Sequence, residues 1–173
     1  MEHFSTVKDA DIFPDSAVEM KEYTVRPTSK GIVMDSNGNI ALLTARGHGL
    51  FPGGGIEMGE TKEEAFIREC REEIGCDVMI TSYLGQFDQY RAQDKKKYEV
   101  HFFVADVIGE KGAPTSTEAG ELACILTWEK KDAVTDILQE QLHTIPPGEY
   151  PSQFNCRTHL GAWRKFLEVT REK

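Results

Sequence analysis

Residues 54–76, GGIEMGETKEEAFIRECREEIGC, constrain this chain more than any other stretch. A glycine-rich loop runs straight into a helix whose two ends are both marked. Thr61 is an N-cap, and Glu64 three residues on completes a capping box. Such a box satisfies two N–H groups that a helix start otherwise leaves without partners. Gly75 stands where a left-handed residue ends a helix. The spacing therefore predicts a helix over 62–74. Phe66, Cys70 and Ile74 fall on one stripe, with Ile67 at its edge, and that stripe must dock on a core. Glu69, Glu72 and Glu73, related by i, i+3 and i+4, share another face. Like charges at those spacings cost about 0.2–0.5 kcal/mol per pair. The arrangement becomes an advantage only where a cation sits among the carboxylates. Oxygen-only ligands suit a hard ion such as Mg²⁺.

The stretch resembles a complete Nudix box, the signature of a pyrophosphohydrolase superfamily. The pattern's fixed positions fall on Gly54, Glu60, Arg68, Glu69, Cys70, Glu72, Glu73, Gly75 and Cys76. Cys70 and Cys76 replace the usual Leu, Ile or Val; a buried Cys packs as a small apolar residue, so the chemistry is untouched. The lead-in Phe51-Pro52-Gly53-Gly54-Gly55 also fits. A pattern fixing this many positions is far more specific than a lone Gly-rich loop. The bland alternative is a solvated acidic helix face.

The rest of the chain reads as strands and two further helices. Glu22–Arg26 and Gly31–Asp35 suggest strands, and Ser36-Asn37-Gly38-Asn39 carries the Asn-Gly turn signal. Strand 40–45 follows, then a loop over 46–50. After the box, 77–90 reads as strand and 91–97, RAQDKKK, as a solvated hairpin tip. In 98–107 Tyr98, Val100, Phe102 and Val104 alternate on one face, with His101 and Phe103 on the other. Residues 109–121 form a Gly, Pro and Thr-rich loop; loops this long tend to be functional. A strand over 122–128, a helix over 129–143 and a C-terminal helix at about 153–170 complete the chain. Residues 1–20 are an N-terminal arm, whose structure the sequence leaves open, and 21–173 a single domain. Strands separated by helices indicate an α/β layered fold. The resemblance implies its specific form, an α/β/α sandwich with a mixed β-sheet between helices.

With 29 acidic against 20 basic residues, net −9, the surface is unsuited to broad nucleic-acid binding. A phosphorylated small molecule remains compatible, because bound metal reverses the local field. Four Cys without a CxxC pair read as reduced thiols of a cytoplasmic protein. The N-terminus has neither a basic n-region nor an apolar run, so it reads as carrying no leader. No apolar stretch has membrane-spanning length, so no membrane partner is expected.

Cleaving a phosphoanhydride requires an activated water and neutralised phosphoryl oxygens, both of which divalent ions supply. The resemblance implies Mg²⁺, or Mn²⁺, on Glu69, Glu72 and Glu73. The carbonyl of Gly53 or Gly54 is a further candidate ligand. Arg68 and Glu60 brace the carboxylates. The general base comes from Glu118 or Glu121 in the late loop, or from Glu72 or Glu73. Arg46 and His48 are candidates to meet phosphate, and Phe51, Phe87, Tyr90 and Tyr98 to stack on a base. No Pro lies between Cys76 and Pro114, which disfavours the ADP-ribose-cleaving members. The expected substrate is a small nucleoside diphosphate derivative, a nucleoside triphosphate or related nucleotide. The alternatives are a non-catalytic nucleotide-binding module and an RNA 5′-end pyrophosphohydrolase. A homodimer is left open.

Overall fold

A computed structural model describes residues 3–15, 21–45, 47–116 and 124–171. In chain order the elements are β1 (His3–Lys8), α1 (Asp9–Ile12), β2 (Thr24–Met34), β3 (Ile40–Ala45), β4 (His48–Leu50), β5 (Gly53–Gly55), α2 (Lys62–Ile74), β6 (Asp77–Arg91) and β7 (Lys96–Ile108), followed by β8 (Ile125–Glu129), α3 (Lys131–Thr144) and α4 (Tyr150–Arg171). The strands form one mixed sheet in the order β1-β6-β7-β2-β3-β4, with β5 on β2 and β8 on β3. The β1–β6 and β2–β7 pairs are parallel; the other pairs are antiparallel.

Both faces of the sheet are covered, so its central strands read as nearly unbroken apolar runs. Ile32, Leu42, Phe102 and Val104 face α3 and α4, where Trp163, Phe166 and Leu138 meet them. Their neighbours Val33, Ala41, Phe103 and Ala105 face α2, packing on Phe66, Cys70 and Ile74. The strand period of two thus sorts each run into two cores. This is the α/β/α layering expected. Helix α2 starts and stops at the expected residues. Thr61 Oγ1 accepts from Glu64 N–H while the Glu64 carboxylate takes the Thr61 N–H, and Gly75 is left-handed at φ 65°.

Helix α2 lies so close to β2 that position 31 has no room for a side chain. A Cβ on Gly31 would stand 2.7 Å from Phe66 Cε2 and 2.9 Å from the Phe103 carbonyl oxygen, with Phe66 Cζ nearer still. Gly31→Ala is expected to cost about 1–3 kcal/mol, as overpacking of a filled core does. A lowered urea midpoint with an unchanged slope checks it; an unshifted midpoint would show that Phe66 moves aside freely.

Several boundaries differ from the sequence reading. The two strands expected over 22–35 are one strand, β2, carried through Pro27 by its parallel pairing with β7. His48–Leu50, expected as loop, pairs with β3. The helix expected from about 153 begins at Tyr150, with Pro151 in its first turn, where a missing N–H costs nothing. The hairpin tip is not simply solvated. Arg91 is 5% exposed, and Lys97 pairs with Asp88 at 3.0 Å and Glu99 at 2.7 Å. Residues 3–8 of the arm form β1, in the sheet beside β6. No helix among the described residues is long and apolar enough to cross a membrane.

Candidate active site

The site is built where β5 meets α2. Gly53–Gly55 pair with Thr28–Lys30 of β2, which fixes the loop against the sheet. Gly53 N–H donates to Glu73 Oε2 at 2.6 Å, tying the loop to the last turns of the helix. Gly54 leaves room for Glu69: a Cβ there would stand 2.6 Å from Glu69 Cδ and 2.8 Å from Oε2. The glycines therefore let a carboxylate lie directly against backbone.

Arg68 organises the acidic face. Its Nε donates to Glu60 Oε1 at 2.7 Å, and Nη2 to Glu60 Oε2 at 3.1 Å and to the Gly55 carbonyl at 3.0 Å. Nη1 donates to Glu69 Oε1 and Glu72 Oε2, both at 2.9 Å. All five N–H donors of the fork are used, a geometry no lysine can copy. Glu60 is held in turn by Glu57 N–H at 3.0 Å. The Arg68 hydrogen bonds hold the Glu60 carboxyl below its usual range, and Glu60 foremost raises the guanidinium's pKa.

Glu69 is the unusual member. It is 5% exposed, and its Oε2 is buried without a hydrogen-bond partner among the described residues. Burial pushes its carboxyl up, with the Arg68 guanidinium pulling the other way. A buried carboxylate oxygen left bare is costly. At the neighbouring turn the Gly53 carbonyl accepts from the Lys30 ammonium, so a positive charge already sits on that oxygen. Among the described residues, as they stand, no three His, Cys, Asp or Glu groups converge on one point. Arg68 engages Glu69 and Glu72, and Gly53 N–H engages Glu73. The donors present are carboxylate and carbonyl oxygens, which fit a hard divalent cation. Glu69, Glu72, Glu73 and the carbonyl of Gly53 or Gly54 are the groups that would hold it.

Above these groups opens a cleft of about 590 Å³, lined by Gly54, Arg68, Glu69, Glu72, Thr115 and Ser116 among others. The late loop is tied to α2. Thr115 and Ser116 N–H both donate to the Glu72 carbonyl, at 2.9 and 3.0 Å, and Gly112 N–H to the Gly75 carbonyl at 2.8 Å. The approach is close enough that a Cβ on Gly75 would stand 2.6 Å from Gly112 and Ala113 backbone. The loop thus reaches the cleft at Ser116. Glu118 and Glu121, just beyond it, lie outside the described residues, as does Arg46.

The candidate stacking residues are dispersed. Phe51 is fully buried among Phe102, His159 and Trp163, and Phe87 is 1% exposed. Both are core side chains with no surface for a base, which corrects that expectation. Tyr90 packs edge-on against Tyr23, away from the cleft lining. Tyr98 lines a cavity beside the cleft, but Arg91 lies 4.2 Å and Arg26 5.7 Å from its ring centre. His48 faces a separate cavity between β4, α3 and α4. The sequence reading missed Arg26, Thr28 and Lys30, alternate residues of β2 beside the glycine loop. Their period of two was the available signal.

Comparison with known proteins gives a consistent picture. A family model described as NUDIX domain matches residues 25–148. The chain is 30% identical over 93 residues to a putative 8-oxo-dGTP diphosphatase of Bacillus subtilis, covering 53% of this chain and 60% of that one. It is 40% identical over 58 residues to an ADP-ribose pyrophosphatase of Methanocaldococcus jannaschii, covering 34% of each. It is 44% identical over 52 residues to an RNA pyrophosphohydrolase of Acinetobacter baylyi, covering 29% of this chain and 31% of that one. The chain therefore spans between about a third and three fifths of the length of these relatives. In three dimensions it is similar to the E. coli ORF135 protein, with TM-score 0.60 and 19% identity over 90% of this chain and 98% of that one. A MutT protein of Methanosarcina mazei follows the same fold, with TM-score 0.54 and 17% identity over 87% and 99%. The family model takes in the glycine loop, the acidic helix and the sheet beneath them, and on that match the chain belongs to the NUDIX domain family.

Proposed function

We propose that this chain is a divalent-metal-dependent pyrophosphohydrolase, using Mg²⁺ or Mn²⁺ to cleave a phosphoanhydride bond in a small nucleotide-type substrate. One observation carries the reading. Glu69 Oε2 is buried, has no hydrogen-bond partner among the described residues, and lies against a backbone so close that only glycine fits opposite it. Without a cation that carboxylate is a liability in a helix already burdened with repelling charges. Bound metal supplies Lewis acidity and a water acidified toward hydroxide. The chain's own residues do the positioning. Arg68 keeps the carboxylates in register through both arms of its fork, and Glu60 fixes Arg68. Water is deprotonated by Glu72 or Glu73, or by Glu118 or Glu121 on the loop that Glu72 anchors. A nucleoside triphosphate or a related nucleotide is the favoured substrate class. The relatives named for 8-oxo-dGTP, ADP-ribose and RNA ends share the bond cut and differ in what it joins. Cys70, Cys76 and Cys156 form no disulfide, which suits a reducing compartment such as the cytoplasm.

The test is a panel of nucleoside diphosphates, triphosphates, nucleotide sugars and a 5′-triphosphorylated oligonucleotide, each with Mg²⁺ or Mn²⁺. Product mass and phosphorus NMR are the readouts. Cleavage between two phosphorus atoms, stopped by chelator, is the expected result. Metal-dependent nucleotide binding with no product anywhere in the panel would instead identify a non-catalytic module.

A further inference from the structure

Beside the cleft lies a second cavity of about 250 Å³, which shares Arg26, Gly54 and Gly55 with it. Its lining includes three cations, Arg26, Lys30 and Arg91, and no carboxylate, in a chain of net charge −9. Strand β2 presents Arg26, Thr28 and Lys30 to it from alternate positions. Neither Arg26 nor Lys30 has a carboxylate within 4 Å among the described residues. For Arg91 the one such group is Asp94, 3.6 Å from Nη1.

The neutral groups are also turned so that they donate. Arg91 donates from Nε to Gln89 Oε1 at 2.9 Å and from Nη2 to Asn155 Oδ1 at 2.7 Å. Asn155, whose oxygen is thus engaged, lines the cavity and has its NH₂ left to donate. His159 accepts Phe51 N–H on Nδ1 at 3.0 Å, and burial holds its ring well below the usual imidazole range, so the proton sits on Nε2. Thr28 is 7% exposed and its Oγ1 has no hydrogen-bond partner among the described residues. Arg26 and Arg91 lie against the Tyr98 ring, which leaves it a poor platform for a base. A cavity of donors and three cations, of which only Arg91 has a described carboxylate within 4 Å and Lys30 bonds the Gly53 carbonyl, selects an acceptor-rich anion, and phosphate fits guanidinium best.

Building on the proposed hydrolase reading, we propose that this cavity binds a phosphoryl group of the substrate additional to the two joined by the bond that is cut. That group is either the third phosphate of a nucleoside triphosphate or a phosphate ester on the organic part. The shared residues Arg26, Gly54 and Gly55 place it one step from the anhydride.

The first arm of the test titrates inorganic phosphate into the full chain without metal, followed by ¹H–¹⁵N NMR. Saturable shifts at Thr28, Gly54, Gly55 and the Asn155 side-chain amide are expected. Arg26→Ala and Thr28→Val are each expected to weaken binding about tenfold, the scale of a charge-assisted hydrogen bond. Because the Thr28 hydroxyl has no partner among the described residues, Thr28→Val should hold or raise Tm while it lowers affinity. A purely structural threonine would do the reverse. Shifts spread over the surface, or wild-type affinity in both variants, overturn the proposal. The second arm compares kcat/KM, with metal, for GTP against GDP and for NADPH against NADH. A preference of about tenfold for the more phosphorylated member of one pair, lost in Arg26→Ala, shows which phosphate the cavity takes. Equal treatment within both pairs overturns the assignment even if free phosphate binds. The first arm needs neither metal nor turnover. Phosphate binding without any cleavage would refute the hydrolase reading alone, and cleavage without phosphate binding this inference alone.

Discussion

Glu73→Gln and Glu72→Gln are each expected to lower kcat by about 10²–10⁴-fold, the range typical of a lost proton-transfer or charge-stabilising group. The fold should survive both. Gln keeps an oxygen where Glu73 accepts the Gly53 N–H, and where Glu72 accepts from Arg68. Glu72 is partly solvated, with 39% of its side chain exposed, so its pair with Arg68 is worth about 1 kcal/mol or less. Turnover of a cleaved nucleotide, measured beside a urea melt, separates loss of chemistry from loss of structure. Wild-type turnover in both variants would remove the assignment, because Glu72 lines the cleft and Glu73 holds the glycine loop beside it. A variant that fails only through a lowered urea midpoint would mean that the carboxylates serve the fold.

Gly53→Ala should be the most damaging single methyl group in the loop. Gly53 has φ 129°, a region closed to residues with a Cβ. The added carbon would also press on the Ser29 carbonyl oxygen and stand 2.6 Å from Lys30 Cα and 2.9 Å from Lys30 Cγ. These are backbone and near-backbone atoms in the middle of β2, held by pairing on both sides. Strain and overlap together are expected to cost about 3 kcal/mol or more. At this chain length that lowers Tm by roughly 6–12 °C. Gly38→Ala is the control. It shares a positive φ, 73°, but has nothing within 4 Å of the added carbon, so it should cost only the backbone strain, about 1–2 kcal/mol. Equal losses in the two variants would show that conformation alone, and not the approach of β2, fixes glycine at 53.

What the sequence disclosed follows from the range of the forces involved. Helix α2 was legible to the residue because its caps are local: Thr61, Glu64 and Gly75 act within a turn of their own backbone. Strand β3 was legible for a similar reason, an Asn-Gly turn before it and an apolar run within it. The short strands β4 and β5 were not, since three residues are too few to show an alternation and those of β5 are all glycine. The candidate site divided the same way. The acidic residues of the helix were visible by spacing. Phe51 looked like a stacking ring until tertiary packing placed it under α4. Arg91 looked like a loop cation, yet Gln89 and Asn155, the latter sixty-four positions away, enclose it. Partners that distant leave no periodic trace in the chain.

The parallel pairing of β1 with β6 has a consequence for how the molecule keeps to itself. β6 runs from Asp77 to Arg91, and residues 3–8 meet its outer flank over Gln86–Tyr90. Stripped of that cover, the outward amides and carbonyls of Gln86–Tyr90 would be offered to a neighbouring chain. Residues 3–8 thus shield that length of β6, and removing them is expected to raise self-association, read by light scattering.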